Sequence, residues 1–162
     1  MATRHTITFE TEGMDDCLKK LDELAAVADP AKVGQRIILP ALREGAAVLK
    51  QAALDLVPTD TFALYKSAKI AARNTNGNDK RSKYYNGETA LSTVTFGGKR
   101  AKDVEAGEAL AVEFGTANRA PTPFLRPAFE LKHTQAMNAV KDELGRRIDK
   151  FVKQLSKQRL GK

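Results

Sequence analysis

The segment Val112–Phe129, which reads V-E-F-G-T-A-N-R-A-P-T-P-F-L-R-P-A-F, constrains the fold more than any other part of the chain. It contains Gly115 and three prolines, Pro121, Pro123 and Pro127. Each proline locks φ, and the residue before each proline is pushed out of the helical conformation. The pattern predicts a fixed corner that joins a short apolar strand to a long helix. Because Gly115 directly follows that strand, we expect it to take the positive φ that only glycine adopts at little cost.

This corner motif offers little chemistry. Apart from Glu113 it contains no general acid, thiol or metal ligand, which favours a role in assembly. We expect Phe124 and Leu125 to anchor the start of the last helix in the core, because large apolar side chains are hard to leave in water. The motif comprises Glu113, Phe114, Gly115, Thr116, Pro121, Pro123, Phe124, Leu125, Arg126 and Pro127.

A second motif lies where a predicted long helix ends. It reads Val57-Pro58-Thr59-Asp60-Thr61-Phe62-Ala63-Leu64, with a basic strand, Tyr65–Ala72, behind it. The chain thus has a helix end with Pro58, Thr61 and Leu64 before a strand, and farther on it has the sequences E-F-G-T and P-x-P-F-L-R-P-A-F. Together the two motifs resemble a tailed-phage tail-component family. That family is typified by gene product ten of a lambda-like siphophage, and it usually has glycine at the position of Phe62.

The resemblance implies a structural virion protein that acts in tail completion or head-tail joining. It implies that many copies form a ring, a hexamer, between the head connector and the tail tube. The implied partners are the chain itself and other phage neck and tail proteins, with genome DNA passing through the lumen. The implied location is the tail or neck of the virion, assembled in the host cytoplasm.

Residue patterns predict a single α+β domain over residues 1–162, with a mostly antiparallel four-stranded sheet covered by a long kinked helix and a long C-terminal helix. The predicted strands are Thr3–Glu10, Ser67–Arg73, Thr89–Gly97 and Ala109–Phe114. The predicted helices are one that begins near Asp15 and ends near Ala28, then Ala31–Val57, then a basic helix over about 125–158. Pro40 should kink the second helix or break it near Leu39.

The polar segment 74–88 joins two of the predicted strands. It contains two Asn-Gly pairs and is too long for a tight turn, so we expect a mobile hairpin loop. Its candidate partner-contact residues are Lys80, Arg81, Lys83, Tyr84 and Tyr85.

Charge is spread unevenly along the chain. Residues 1–65 hold 7 basic and 10 acidic side chains, a net charge of −3, whereas residues 141–162 hold 8 and 3, a net charge of +5. The basic end is either the solvated face of a helix or a surface for DNA or an acidic partner. Its candidate residues are Arg146, Arg147, Lys150, Lys153 and Lys157. A small basic accessory protein that binds DNA without sequence preference is therefore the alternative function.

Composition argues against an enzyme. The two histidines, His5 and His133, are separated by most of the chain, and no nucleophile elbow is present. We therefore expect no catalytic residue, no cofactor and no metal. The single cysteine, Cys17, excludes an internal disulfide and is expected to be a buried, inert thiol in a reducing compartment. No apolar run approaches the ~20 residues that span a bilayer, so no membrane partner is expected.

Overall fold

The structure is a computed structural model that describes residues 13–58, 62–83, 85–97 and 104–160. Its helices are α1 (Met14–Val27), α2 (Pro30–Val33), α3 (Leu39–Leu56), α4 (Phe62–Ser67), α5 (Gly77–Lys80), α6 (Val104–Phe114) and α7 (Leu125–Leu160). A π-helical turn, Gly34–Ile38, joins α2 to α3, and the strands are β1 (Lys69–Asn74) and β2 (Ala90–Thr95). The predicted α+β class and long C-terminal helix are confirmed.

The two strands form an antiparallel hairpin, with a register that runs from Lys69 opposite Thr95 to Asn74 opposite Ala90. The prediction of four strands is wrong for the described residues, which hold only this two-stranded sheet. Ala109–Phe114, predicted as a strand, is the second half of helix α6. The predicted strand Thr3–Glu10 lies outside the described residues.

The expected break near Leu39 is confirmed, because the π-helical turn ends at Ile38 and α3 begins at Leu39. Pro40 lies in the first turn of α3, and the irregularity is the π-helical turn immediately before it. In a regular helix the N–H at position 40 would bond to the carbonyl of Arg36, but proline has no N–H. That carbonyl instead accepts a hydrogen bond from Nη1 of Arg147 at 3.2 Å.

Helices α3 and α7 form the body of the molecule and approach closely at Gly45. A Cβ atom on Gly45 would collide with Cγ2 of Val140 and lie 3.0 Å from the carbonyl oxygen of Ala136. Glycine is therefore required here for space, not for its backbone freedom. Helix α7 is 36 residues long, or about 54 Å at 1.5 Å per residue, and it extends past both ends of this contact.

Among the described residues, the core forms two apolar clusters along α7. The corner cluster contains Ala52, Ala53, Val57, Leu64, Ala109, Val112, Phe124 and Ala128. The distal cluster contains Leu21, Leu24, Val33, Ile37, Ala41, Leu144, Ile148 and Phe151. Cys17 is half-buried against the distal cluster, so its thiol is less enclosed than predicted. In the described part of the chain, no helix is both long and apolar enough to cross a membrane.

Candidate functional site: the corner and the surfaces around it

The corner predicted from the prolines begins where α6 ends. Gly115 has φ 77° and donates its N–H to the carbonyl oxygen of Ala111 at 2.9 Å, which closes the helix with a left-handed residue. A Cβ atom on Gly115 would lie 2.9 Å from the carbonyl oxygen of Arg119 and 3.0 Å from Pro121. The prediction of a positive φ is confirmed, although the element before Gly115 is a helix and not a strand. Both the φ and the lack of space restrict this position to glycine.

Glu113 connects the two helices of the corner. It is buried, with 3% of its surface exposed, and its carboxylate accepts backbone N–H groups from the first turn of α7. Oε2 accepts from Phe124 at 2.8 Å and from Leu125 at 2.9 Å, while Oε1 accepts from Arg126 at 3.3 Å. The guanidinium of Arg126 lies 3.6 Å from Oε1. A single side chain from α6 therefore caps the N-terminus of α7.

The cap leaves no free amide at the start of α7. The first N–H groups of a helix have no intrahelical acceptor, and a carboxylate is favoured there by the helix dipole. After the three residues capped by Glu113 comes Pro127, which has no N–H, and the N–H of Ala128 bonds to the carbonyl oxygen of Phe124 at 3.2 Å. In the P-F-L-R-P sequence, the three residues between the prolines are therefore the ones whose N–H groups Glu113 accepts. Sequence reasoning included Glu113 in the motif but did not assign it this role, because the cap lies 11 to 13 residues away.

Burial raises the pKa of Glu113, because a charged carboxylate is costly away from water. The N–H donors of Leu125, Phe124 and Arg126 and the charge of the Arg126 guanidinium lower that pKa by more, so the net pKa lies below its ordinary value. The charged form is therefore the form that the fold stabilises. Glu113 therefore has a structural role, because its carboxylate is enclosed by its hydrogen-bond donors.

The two sequence motifs meet in the corner cluster. Phe124 is completely buried and its ring meets that of Phe96 edge to face, with centroids 5.0 Å apart. Leu64 and Val57, from the second motif, are buried in the same cluster as Phe124 and Val112. The predicted burial of Phe124 is confirmed, whereas Leu125 is 37% exposed. Pro58 is half-buried, and Thr61 lies outside the described residues.

The outer face of α6 carries two large apolar side chains, Leu110 and Phe114, which we call the α6 ridge. They are one helical turn apart and are 60% and 64% exposed. The guanidinium of Arg126 lies 5.7 Å from the centroid of the Phe114 ring, within the range of a cation–π contact. Arg126 therefore contacts both the buried cap and the exposed ridge. The remaining loop residues of the motif, Thr116 and Pro121 to Pro123, are exposed.

An apolar groove opens between α3, β2 and α7, with a volume of about 450 Å³. Side chains that line it include Leu42, Leu49, Leu91, Phe129 and Met137. Its floor lies where Gly45 brings α3 close to α7. We call this feature the α3–α7 groove.

The segment between β1 and β2 has more local order than the predicted loop. It contains α5, whose N-terminus is closed by a capping box between Asn76 and Asp79. Asp79 also pairs with Arg73 of β1, with Arg73 Nη2 2.9 Å from Asp79 Oδ1. The hydrogen bonds from Arg73 and from the Asn76 N–H, together with the charge of Arg73, lower the pKa of Asp79 to about 2. The predicted mobility of this segment stays a prediction.

The candidate contact residues of this segment are mostly on the surface. Lys80, Arg81 and Lys83 are exposed, Tyr85 is half-buried, and Tyr84 lies outside the described residues.

The five basic residues predicted on α7 do not form one surface. Arg146, Lys150, Lys153 and Lys157 follow one side of the helix and border a groove of about 490 Å³. Arg147 projects elsewhere, since its Nε bonds to Oε1 of Glu143 at 2.6 Å and its Nη1 to the carbonyl of Arg36. Arg147 is thus a structural link between α7 and the π-helical turn, which corrects the predicted set.

The described residues contain no group of three or more histidine, cysteine or carboxylate side chains that could hold a metal ion. His133 Nδ1 lies 3.1 Å from the carbonyl oxygen of Phe129, one turn earlier in α7, and its ring stacks on Phe129. His5 lies outside the described residues. Comparison with protein-family models, with curated proteins and with solved structures finds no match to this chain.

Proposed function

We propose that this chain is a structural subunit of a tailed-phage virion that acts in tail completion or head-tail joining. In this proposal identical copies form a hexameric ring between the head connector and the tail tube, in contact with other neck and tail proteins. The two motifs that resemble the tail-component family support it, because Leu64 of one and Phe124 of the other lie in the same buried cluster. The motifs therefore act together as one structural unit.

The observation that carries the proposal is the exposure of the α6 ridge beside this rigid corner. Leu110 and Phe114 are large apolar side chains on a short helix whose opposite face is fixed in the core through Val112 and Glu113. Apolar surface held rigidly in water is typical of a contact site for another protein. A pre-organised surface also loses little conformational entropy when a partner binds it.

The chain also carries an apolar surface of the opposite shape. A ring of identical subunits requires a heterologous contact, in which one surface of a subunit meets a different surface of its neighbour. The α6 ridge is convex and apolar, whereas the α3–α7 groove is concave and apolar. We therefore propose that the α6 ridge of one copy binds in the α3–α7 groove of the next.

Variants of the two surfaces test this contact. Phe114→Asp alters the ridge, Phe129→Asp alters the groove, and Val27→Asp is a matched control because Val27 is 62% exposed on α1. By mass photometry and cross-linking, the unaltered chain and the control should form rings. Each altered chain alone should stay monomeric, and a mixture of the two should stop at dimers, since one intact contact remains per pair. Rings from either variant alone, or none from the unaltered chain, would refute the contact.

The virion role is tested separately from the contact. Deleting the gene from its genome of origin should give particles in which filled heads and finished tails are separate. Electron micrographs of normal joined particles after deletion would refute the proposed function. Loss of joining together with failure of the ridge variants to affect assembly would refute only the proposed contact.

A further inference from the structure

We infer that the exposed basic face of α7 binds the phosphate backbone of double-stranded DNA without reading its sequence. The face consists of Arg146, Lys150, Lys153 and Lys157, which follow one another at intervals of four, three and four residues. At 100° per residue these positions lie within an arc of about 60°, and they extend over about 16 Å of the helix. Four cations are thus presented in a line along one side of a single helix.

The charge of this face is largely available to a ligand. Lys150, Lys153 and Lys157 are exposed, and they make no ion pair within the described part of the chain. Arg146 pairs with Glu143, whose other oxygen is held by Arg147, so the two arginines share one carboxylate. Asp149 is the acidic side chain that borders the groove along this face. The face therefore keeps an excess of positive charge along its length.

The chemistry of the lining favours phosphate over a protein surface. The groove is bordered by Arg146, Asp149, Lys150, Lys153, Gln154 and Lys157, a set with no apolar side chain. The cores of protein–protein interfaces are depleted in lysine and enriched in aromatic residues, whereas contacts to the DNA backbone use lysine and arginine. Phe151, the aromatic residue next to Lys150, is buried in the distal cluster. It cannot stack on bases, which disfavours a single strand as the ligand.

Fluorescence anisotropy with a random-sequence DNA duplex of about 30 base pairs tests the inference across a range of salt concentrations. Three lysines that each neutralise one phosphate should give a slope of log affinity against log salt of about −2.7. Replacing Lys150, Lys153 and Lys157 together with glutamine should remove this part of the slope and weaken binding. A matched control, Lys19, Lys66 and Lys69 to glutamine, makes the same change in net charge on exposed residues outside α7.

The inference holds if the α7 variant loses binding while the control retains it, with both variants melting at the temperature of the unaltered chain. Equal loss in the two variants would show that only net charge matters, and would overturn it. Poly-glutamate that bound the same face as tightly as the duplex would assign the face to an acidic protein partner instead. Tighter binding of a single strand of the same length would also overturn the assignment. None of these outcomes depends on whether the chain forms rings.

Discussion

Replacing Glu113 with glutamine tests the central feature of the corner. Glutamine has nearly the shape of glutamate, but its single amide oxygen cannot accept all three N–H groups that Glu113 accepts from Phe124, Leu125 and Arg126. At least one donor in a buried region loses its acceptor, which costs about 1–3 kcal/mol. The remaining bonds also weaken, because bonds to a charged acceptor are roughly twice as strong as neutral ones.

The expected loss for Glu113→Gln is therefore about 2–3 kcal/mol in the free energy of unfolding near pH 7. For a domain of this size that corresponds to a fall of about 4–12 °C in Tm. Urea and thermal melts followed by circular dichroism measure both quantities. Glu130→Gln is the matched control, because Glu130 is an exposed glutamate near the start of α7, and it should change the stability by less than about 0.5 kcal/mol.

The pH dependence of the same variant provides an independent check. The pKa of Glu113 in the folded state lies below its ordinary value of 4.5, so the folded state resists protonation of this carboxylate. Its contribution is complete above the unfolded pKa and is lost as the pH falls through the folded pKa. The stability difference between the unaltered chain and Glu113→Gln should therefore be constant near neutral pH and decrease in acid. A difference that stayed constant into strong acid, or a variant as stable as the unaltered chain, would refute the capping argument.

Three further predictions concern separate parts of the fold. Gly45→Ala should lower the free energy of unfolding by roughly 1–3 kcal/mol in urea melts, because the new Cβ collides with Val140. The control Gly145→Ala, where the Cβ has open space, should stabilise α7 by up to about 1 kcal/mol. Equal effects of the two substitutions would refute the close approach of α3 and α7. Gly115→Ala should cost on the order of 1–3 kcal/mol, and a Tm within one degree of the unaltered chain would contradict the required positive φ. The pKa of Asp79, measured by NMR, should be about 2, and it should rise toward its ordinary value of 3.8 in Arg73→Gln. Because the folded-state pKa is lowered, the contribution of Asp79 to the stability of the hairpin is lost only in strong acid.

Elements with strong local signals were predictable from the sequence. The long helix ending at Leu56, the antiparallel hairpin and the last helix all follow from periodicity and from proline and glycine positions. The positive φ of Gly115 and the burial of Phe124 were also predictable from their residue types. Both predictions agree with the structure, because glycine takes a positive φ at little cost and a large apolar ring is costly to leave in water.

The wrong assignment of Ala109–Phe114 has a physical cause. A short apolar run of this kind suits a buried strand and a buried helix equally, and periodicity alone does not separate them. Its packing decides the outcome, since Ala109, Val112 and Glu113 lie on the buried side of α6 while Leu110 and Phe114 lie on the other. The capping role of Glu113 and the hydrogen bond from Arg147 to the carbonyl of Arg36 could not be predicted from the sequence either, because each joins residues that are distant in the chain.

The cap joins the first turn of α7 to a helix that also carries an exposed apolar surface. Helix α6 carries Glu113 on its inner side and the ridge residues Leu110 and Phe114 on its outer side. A partner that binds the outer side of α6 therefore contacts the helix that carries Glu113, the residue that caps the first turn of α7. Because α7 is about 54 Å long, a tilt of about one degree at that turn displaces its far end by about 1 Å. The contact with α3 at Gly45 and the distal cluster with α1 lie farther along the same helix, so the direction set at its first turn has to fit both.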